Sequence, residues 1–154
     1  MFQFRNAIDA HKYLKYFQTL QEQRSIQNAL DLEASLQFYL TALSPLSYKE
    51  VRFPSVGLGS SNSTSPIPDL WLRQHTPGDR NGHAEKPTPV HISFYVKDRR
   101  LVDEFHAARI EAGGKDNGKP GVRPWMEGYY AAYVLDLDGN NIEVVYFATK
   151  MGAE

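Results

Sequence analysis

The spacing of apolar side chains changes repeatedly along this chain, and each change marks an element. Phe4, Ile8, Leu14, Phe17 and Leu20 recur at roughly helical intervals among Lys12, Lys15 and several glutamines, which predicts an amphipathic helix over residues 1–22. Ser25 to Leu30 reads as a short strand, followed by Asp31, whose carboxylate can cap a helix carrying Leu32, Leu36, Tyr39, Leu40 and Leu43 on one face. Pro45 stops that helix. Short strands are then expected at Tyr48–Phe53, Val56–Leu58 and Pro68–Arg73, separated by Pro54 and by the serine-rich stretch from Gly59 to Pro66.

The second half repeats this order. A strand from Val90 to Val96 leads to Asp98 and a helix with Leu101, Val102, Phe105 and Ala108 inward, closed by Gly113-Gly114. Strands at Tyr129–Leu135 and Asn140–Phe147 flank Asp136-Leu137-Asp138-Gly139, whose Asp-Gly step favours a tight hairpin. Residues 115–128 form a loop or one irregular strand. Asp31 and Asp98 are 67 residues apart, and so are Phe38 and Phe105, so one offset fits both helices. The prediction is an α+β protein in which an N-terminal helical extension, residues 1–22, precedes a domain of residues 23–150 built from modules 23–75 and 89–148.

Composition narrows the function classes. A chain of 154 residues can bury a single core, and 42% hydrophobic with 23% charged residues is ordinary for a globular domain. A net charge of −1 without a basic run provides no phosphate-tracking stripe, so nucleic acid is not the expected partner. With no cysteine, any metal would be held by oxygen and nitrogen. No apolar segment is long enough for a membrane span and no secretory signal is evident, which gives a cytoplasmic expectation.

Two residues break the apolar pattern of their strands: His91, which opens Pro89-Val90-His91-Ile92-Ser93-Phe94, and Glu143, inside Asn141-Ile142-Glu143-Val144-Val145. Burying an ionisable group without a partner is costly, so the pair implies either half of a divalent-metal site or an imidazole–carboxylate pair bonded to each other. Arg73 and Arg123 are candidates for a substrate carboxylate or phosphate, and Trp71, Trp125, Tyr129, Tyr130 and Tyr146 for stacking. Continuation of the Trp71 strand would align His75 with Trp71 and Arg73.

Over about residues 25–148 the chain resembles the vicinal oxygen chelate superfamily, the glyoxalase, bleomycin-resistance and extradiol-dioxygenase group. The resemblance rests on Asp31-Leu32-Glu33-Ala34-Ser35, Phe38-Tyr39 and Leu43-Ser44-Pro45-Leu46 in the first half. In the second it rests on Val90-His91-Ile92-Ser93-Phe94, the glycine-rich Gly113–Gly118 run, Pro120-Gly121-Val122-Arg123-Pro124, Tyr129-Tyr130-Ala131-Ala132 and Asp138-Gly139-Asn140-Asn141-Ile142-Glu143. It implies two βαβββ modules, each a curled mixed sheet with a helix outside, paired around a cup in which a metal chelates neighbouring substrate oxygens. The matching metal positions of the second module are His91 and Glu143. In the first module they fall at Arg24 and Trp71, neither of which can ligate a metal.

The resemblance therefore implies a small-molecule enzyme of lyase, isomerase or dioxygenase type. His91 and Glu143 would act as catalytic groups or as ligands of Ni, Co, Mn, Fe or Zn. Trp71, Arg73, Arg123 and Tyr130 would line the substrate cup, which the resemblance allows to form within paired modules of one chain or across a homodimer. The alternative is a metal-free protein that binds or sequesters a small molecule, as resistance proteins of the group do.

Overall fold

The computed structural model describes residues 25–52, 56–61, 68–78, 85–124 and 126–148. The expected helix over residues 1–22, Arg24 and Trp125 lie outside them. Within them, the first module runs β1 (Ser25–Ala29), α1 (Leu32–Ala42), a 3-10 turn (Ser44–Leu46), β2 (Tyr48–Arg52), β3 (Val56–Ser60) and β4 (Leu70–Gln74). The second runs β5 (His91–Val96), α2 (Arg100–Glu111), β6 (Lys115–Val122), β7 (Tyr129–Leu135) and β8 (Asn141–Phe147). Each module closes into a four-stranded mixed sheet, ordered β1-β4-β3-β2 and β5-β8-β7-β6, with its first and last strands parallel. The fold is α+β.

Local chemistry explains the boundaries. Asp31 accepts the Ala34 amide at 3.0 Å and caps α1. Asp98 accepts the Arg100 amide at 2.9 Å at the start of α2. Past α2, Gly113 takes φ +96°, a conformation that a side chain resists. The segment left open as loop or irregular strand is a strand: β6 pairs with β7 through register shifts between Asp116 and Gly118 and between Gly118 and Gly121.

Both modules share one core. Leu36, Phe38 and Tyr39 of α1, Leu70 and Leu72 of β4, Phe94 of β5, Val102 and Phe105 of α2, and Ile142 and Val144 of β8 belong to the same buried cluster. The helices therefore pack between the sheets, and polar contacts tie the modules: Tyr39 donates to Asp136 at 2.6 Å and Ser35 to Asp138 at 3.3 Å. Side chains alternate across a strand, so residues between these core positions emerge on the sheet faces opposite the shared core. Trp71 and Arg73 alternate with Leu70 and Leu72 on one such face; His91 and Glu143 alternate with Ile92, Ile142 and Val144 on the other. A single chain thus presents two separate open faces rather than the one cup expected to hold all of these residues.

Candidate functional site

Strand pairing in the second module assembles a row of polar side chains. Ser93 lies opposite Glu143 in the β5–β8 ladder, and Glu143 opposite Tyr133 in the β7–β8 ladder. His91, two residues before Ser93, shares their face, as does Tyr129, four residues before Tyr133. His91 Nε2 and Glu143 Oε2 are 3.1 Å apart. Tyr129 donates its hydroxyl to Glu143 Oε1, and its oxygen lies 3.5 Å from that of Tyr133. The His91 ring meets the Tyr133 ring edge-on, with centroids 6.1 Å apart.

The electrostatics assign the protons. Burial pushes the Glu143 carboxyl up, but hydrogen bonds from His91 and Tyr129 and the attraction of the imidazole outweigh it and hold the group below its ordinary range. Glu143 is therefore ionised at neutral pH and can only accept hydrogen bonds. Burial, reinforced by the Glu143 charge, raises the Tyr129 hydroxyl far above its usual value, so Tyr129 stays protonated and donates. In its neutral form the imidazole then carries its proton on Nε2, facing Glu143. Nδ1 is left with its lone pair and no partner among the described residues, on a side chain 52% exposed. An oriented imidazole with one open nitrogen, backed by a buried carboxylate, is competent for general base work.

Arg123, just past β6, lies over the other side of this row. Its guanidinium carbon is 4.9 Å from the Tyr133 ring centroid, and Nη2 donates to the carbonyls of Lys119 at 2.7 Å and Ala131 at 2.8 Å.

Other residues named from the sequence sit elsewhere. Tyr130 points to the helix side: its hydroxyl donates to Asp103 at 2.7 Å and the Arg99 guanidinium lies 3.8 Å from its ring centroid. That corrects its expected place in the cup, since pairing Leu135 with Asn141 puts Tyr129 and Tyr133 on the Glu143 face and Tyr130 on the reverse. Trp71 and Arg73 occupy the first module's open face, where Arg73 Nε donates to Asn28 Oδ1 at 3.0 Å. His75 follows the last residue of β4, buried, with its amide on the Ala29 carbonyl. Tyr133 was absent from the sequence expectation; the same hairpin count would have found it.

Ile26 pairs with Trp71 in the first module where Ser93 pairs with Glu143 in the second, which places Trp71 at the structural counterpart of Glu143. Among the described residues no three His, Asp or Glu side chains come together. Among the described residues, one imidazole and one carboxylate are too few to chelate an ion firmly.

Residues 26–144 match the sequence profile of the Glyoxalase/Bleomycin resistance protein/Dioxygenase superfamily. The chain belongs to this superfamily. Among solved structures, a glyoxalase/bleomycin resistance protein from Albidiferax ferrireducens T118 is 27% identical at a TM-score of 0.60, over 80% of this chain and 96% of that one. The hypothetical protein SA1046 from S. aureus is 28% identical at a TM-score of 0.59, over 79% and 89%. A lactoylglutathione lyase from Agrobacterium tumefaciens shares the fold at 20% identity and a TM-score of 0.56, over 80% and 91%. No match was found among curated proteins. Within the superfamily fold, this chain carries the imidazole and carboxylate on the second module and Trp71 on the first.

Proposed function

We propose that this glyoxalase-like protein is an enzyme of isomerase or lyase type that moves a proton on a small oxygenated molecule, using His91 as base without a resident metal. The observation that supports the reading is the open Nδ1 of an imidazole whose other nitrogen is anchored to buried, ionised Glu143. A substrate C–H proton passes to Nδ1 while its electron pair moves onto the neighbouring carbonyl oxygen as an enolate. The imidazolium formed is stabilised by Glu143 and returns the proton to complete the isomerisation. Tyr129 keeps the carboxylate in place throughout.

The test is hydrogen exchange. Small α-hydroxycarbonyl compounds incubated with the protein in D2O are expected to exchange the hydrogen next to the carbonyl, as read by proton NMR, with equal rates before and after treatment with a strong chelator. Stoichiometric metal in the purified chain, together with chelator-sensitive exchange, would replace this reading by the metal-dependent one. Saturable ligand binding with no exchange of any compound would favour a sequestering protein.

The assembly proposed is a homodimer in which the first module's open face, with Trp71, Arg73 and the 67% exposed Ile26, closes over the His91 face of a second copy. Exposed apolar side chains on a sheet face support this arrangement.

A further inference from the structure

The Arg123 guanidinium is held in place yet not spent. Nη2 is fixed by two backbone carbonyls, and its Nε is buried without a partner. Among the described residues no carboxylate pairs with it. Asp116, a candidate partner on the same strand system, instead engages His106 at 3.1 Å and the Gly118 amide at 3.0 Å. Nη1 is therefore the donor edge left over, on a guanidinium lying against the Tyr133 ring. A backbone carbonyl bears no net charge, so the positive charge of Arg123 is uncompensated by these contacts.

Space for this arrangement is written into β6. A side chain at Gly118 would place its Cβ 2.8 Å from Tyr133 Cδ2 and 3.4 Å from Arg123 Nη2, so the bare backbone there lets ring and guanidinium lie together. On the far side of the same ring stands His91. Arg123, Tyr133 and His91 thus form a cation, a flat apolar surface and a base in sequence across the β6-β7-β8-β5 sheet. Glu143, the one anion in the row, is shielded by His91 and Tyr129.

We propose that this face selects small organic acids: a carboxylate docks on the free edge of Arg123, the carbon skeleton lies over Tyr133, and the atom that loses a proton meets His91. This rests on the proton-transfer reading only for its last clause; the carboxylate requirement stands on Arg123 alone. Guanidinium–carboxylate hydrogen bonds are charge-assisted and lost when the acid becomes an amide.

Benzoate and benzamide, equal in shape and different in charge, are the probes, titrated by calorimetry and by NMR on the wild-type protein. Benzoate is expected to bind at least about tenfold more tightly than benzamide, a preference of about 1.4 kcal/mol, weakened by salt. R123Q is expected to abolish the preference and leave benzamide binding as it was, R123K to retain part of it, and G118A to weaken benzoate by displacing ring and fork. The acid–amide comparison uses the unaltered protein, so an R123Q variant that fails to fold leaves the test intact. Equal affinities for acid and amide, no saturable benzoate binding, or undiminished preference in folded R123Q would each overturn the proposal. H91A is expected to keep the benzoate preference while losing deuterium exchange; acid selectivity without exchange in wild type sinks the catalytic reading and leaves this one standing.

Discussion

Glu143 is nearly fully buried at 3% exposure, yet its carboxyl titrates below rather than above the ordinary range. Desolvation raises it, so the hydrogen bonds from His91 and Tyr129 must supply more than desolvation removes. A group whose folded value is depressed stabilises the fold at pH above its unfolded value and loses that contribution as pH falls through the folded value. The stability difference between wild type and Glu143→Gln, followed by urea unfolding, is accordingly expected to be largest near neutrality and to shrink toward acid. Tyr129→Phe removes one of the two donors. It is expected to cost about 1–3 kcal/mol and to move the acid loss of stability to higher pH, while an acid limb unchanged from wild type would show that Tyr129 does not hold the carboxylate. The two anomalous residues of the strand pattern, His91 and Glu143, were legible in the sequence because apolar strands rarely carry them. Arg109 was not: a cation on an apparently polar helix position gives no sign of burial. Its guanidinium lies within 4.7–4.9 Å of the ring centroids of Phe38, Tyr39 and Phe105, and burial brings its pKa down to about 10.

At the scale of elements, capping and turn chemistry carried the sequence reading. Asp31 and Gly113 stand at helix boundaries because each satisfies a backbone requirement that few residues meet. Gly114 is constrained by space instead: an added Cβ would sit 2.6 Å from Val134 Cγ1 and 2.9 Å from the Arg109 carbonyl. Gly114→Ala is expected to destabilise the protein by about 1–3 kcal/mol, read as a lowered denaturant midpoint with unchanged slope; an unaltered midpoint would contradict the close packing of α2 on β7. β6 was harder to read because Gly118, Pro120 and Gly121 interrupt any alternation, and its pairing depends on β7. Facing was lost for a different reason. The Asp-Gly hairpin sets which of Tyr129, Tyr130 and Tyr133 look toward Glu143, and one residue of register reverses the answer.

For the whole molecule, the relation between modules was the least legible feature. Repeat offsets align the modules with each other but do not say which faces meet. The answer lies in the helix-side residues: Leu36, Phe38 and Tyr39 join Val102 and Phe105 in one core, leaving the Trp71 and His91 faces on opposite outer sides. The proposed homodimer pairs these faces between copies. Sedimentation equilibrium is expected to give a dimer, and Ile26→Glu, which puts a charge on the first module's open face, is expected to shift it toward monomer; a wild-type monomer with full activity would remove the dimer from the account.

The most direct test of the central claim, that His91 poised by Glu143 transfers a proton without a resident metal, is the rate of deuterium exchange into an α-hydroxycarbonyl substrate by metal-stripped protein. Full exchange is expected from wild type, with a loss of about 10²–10⁴-fold in folded His91→Ala. Exchange that is absent from the stripped wild type and restored by a divalent ion, or that is undiminished in His91→Ala, would contradict it.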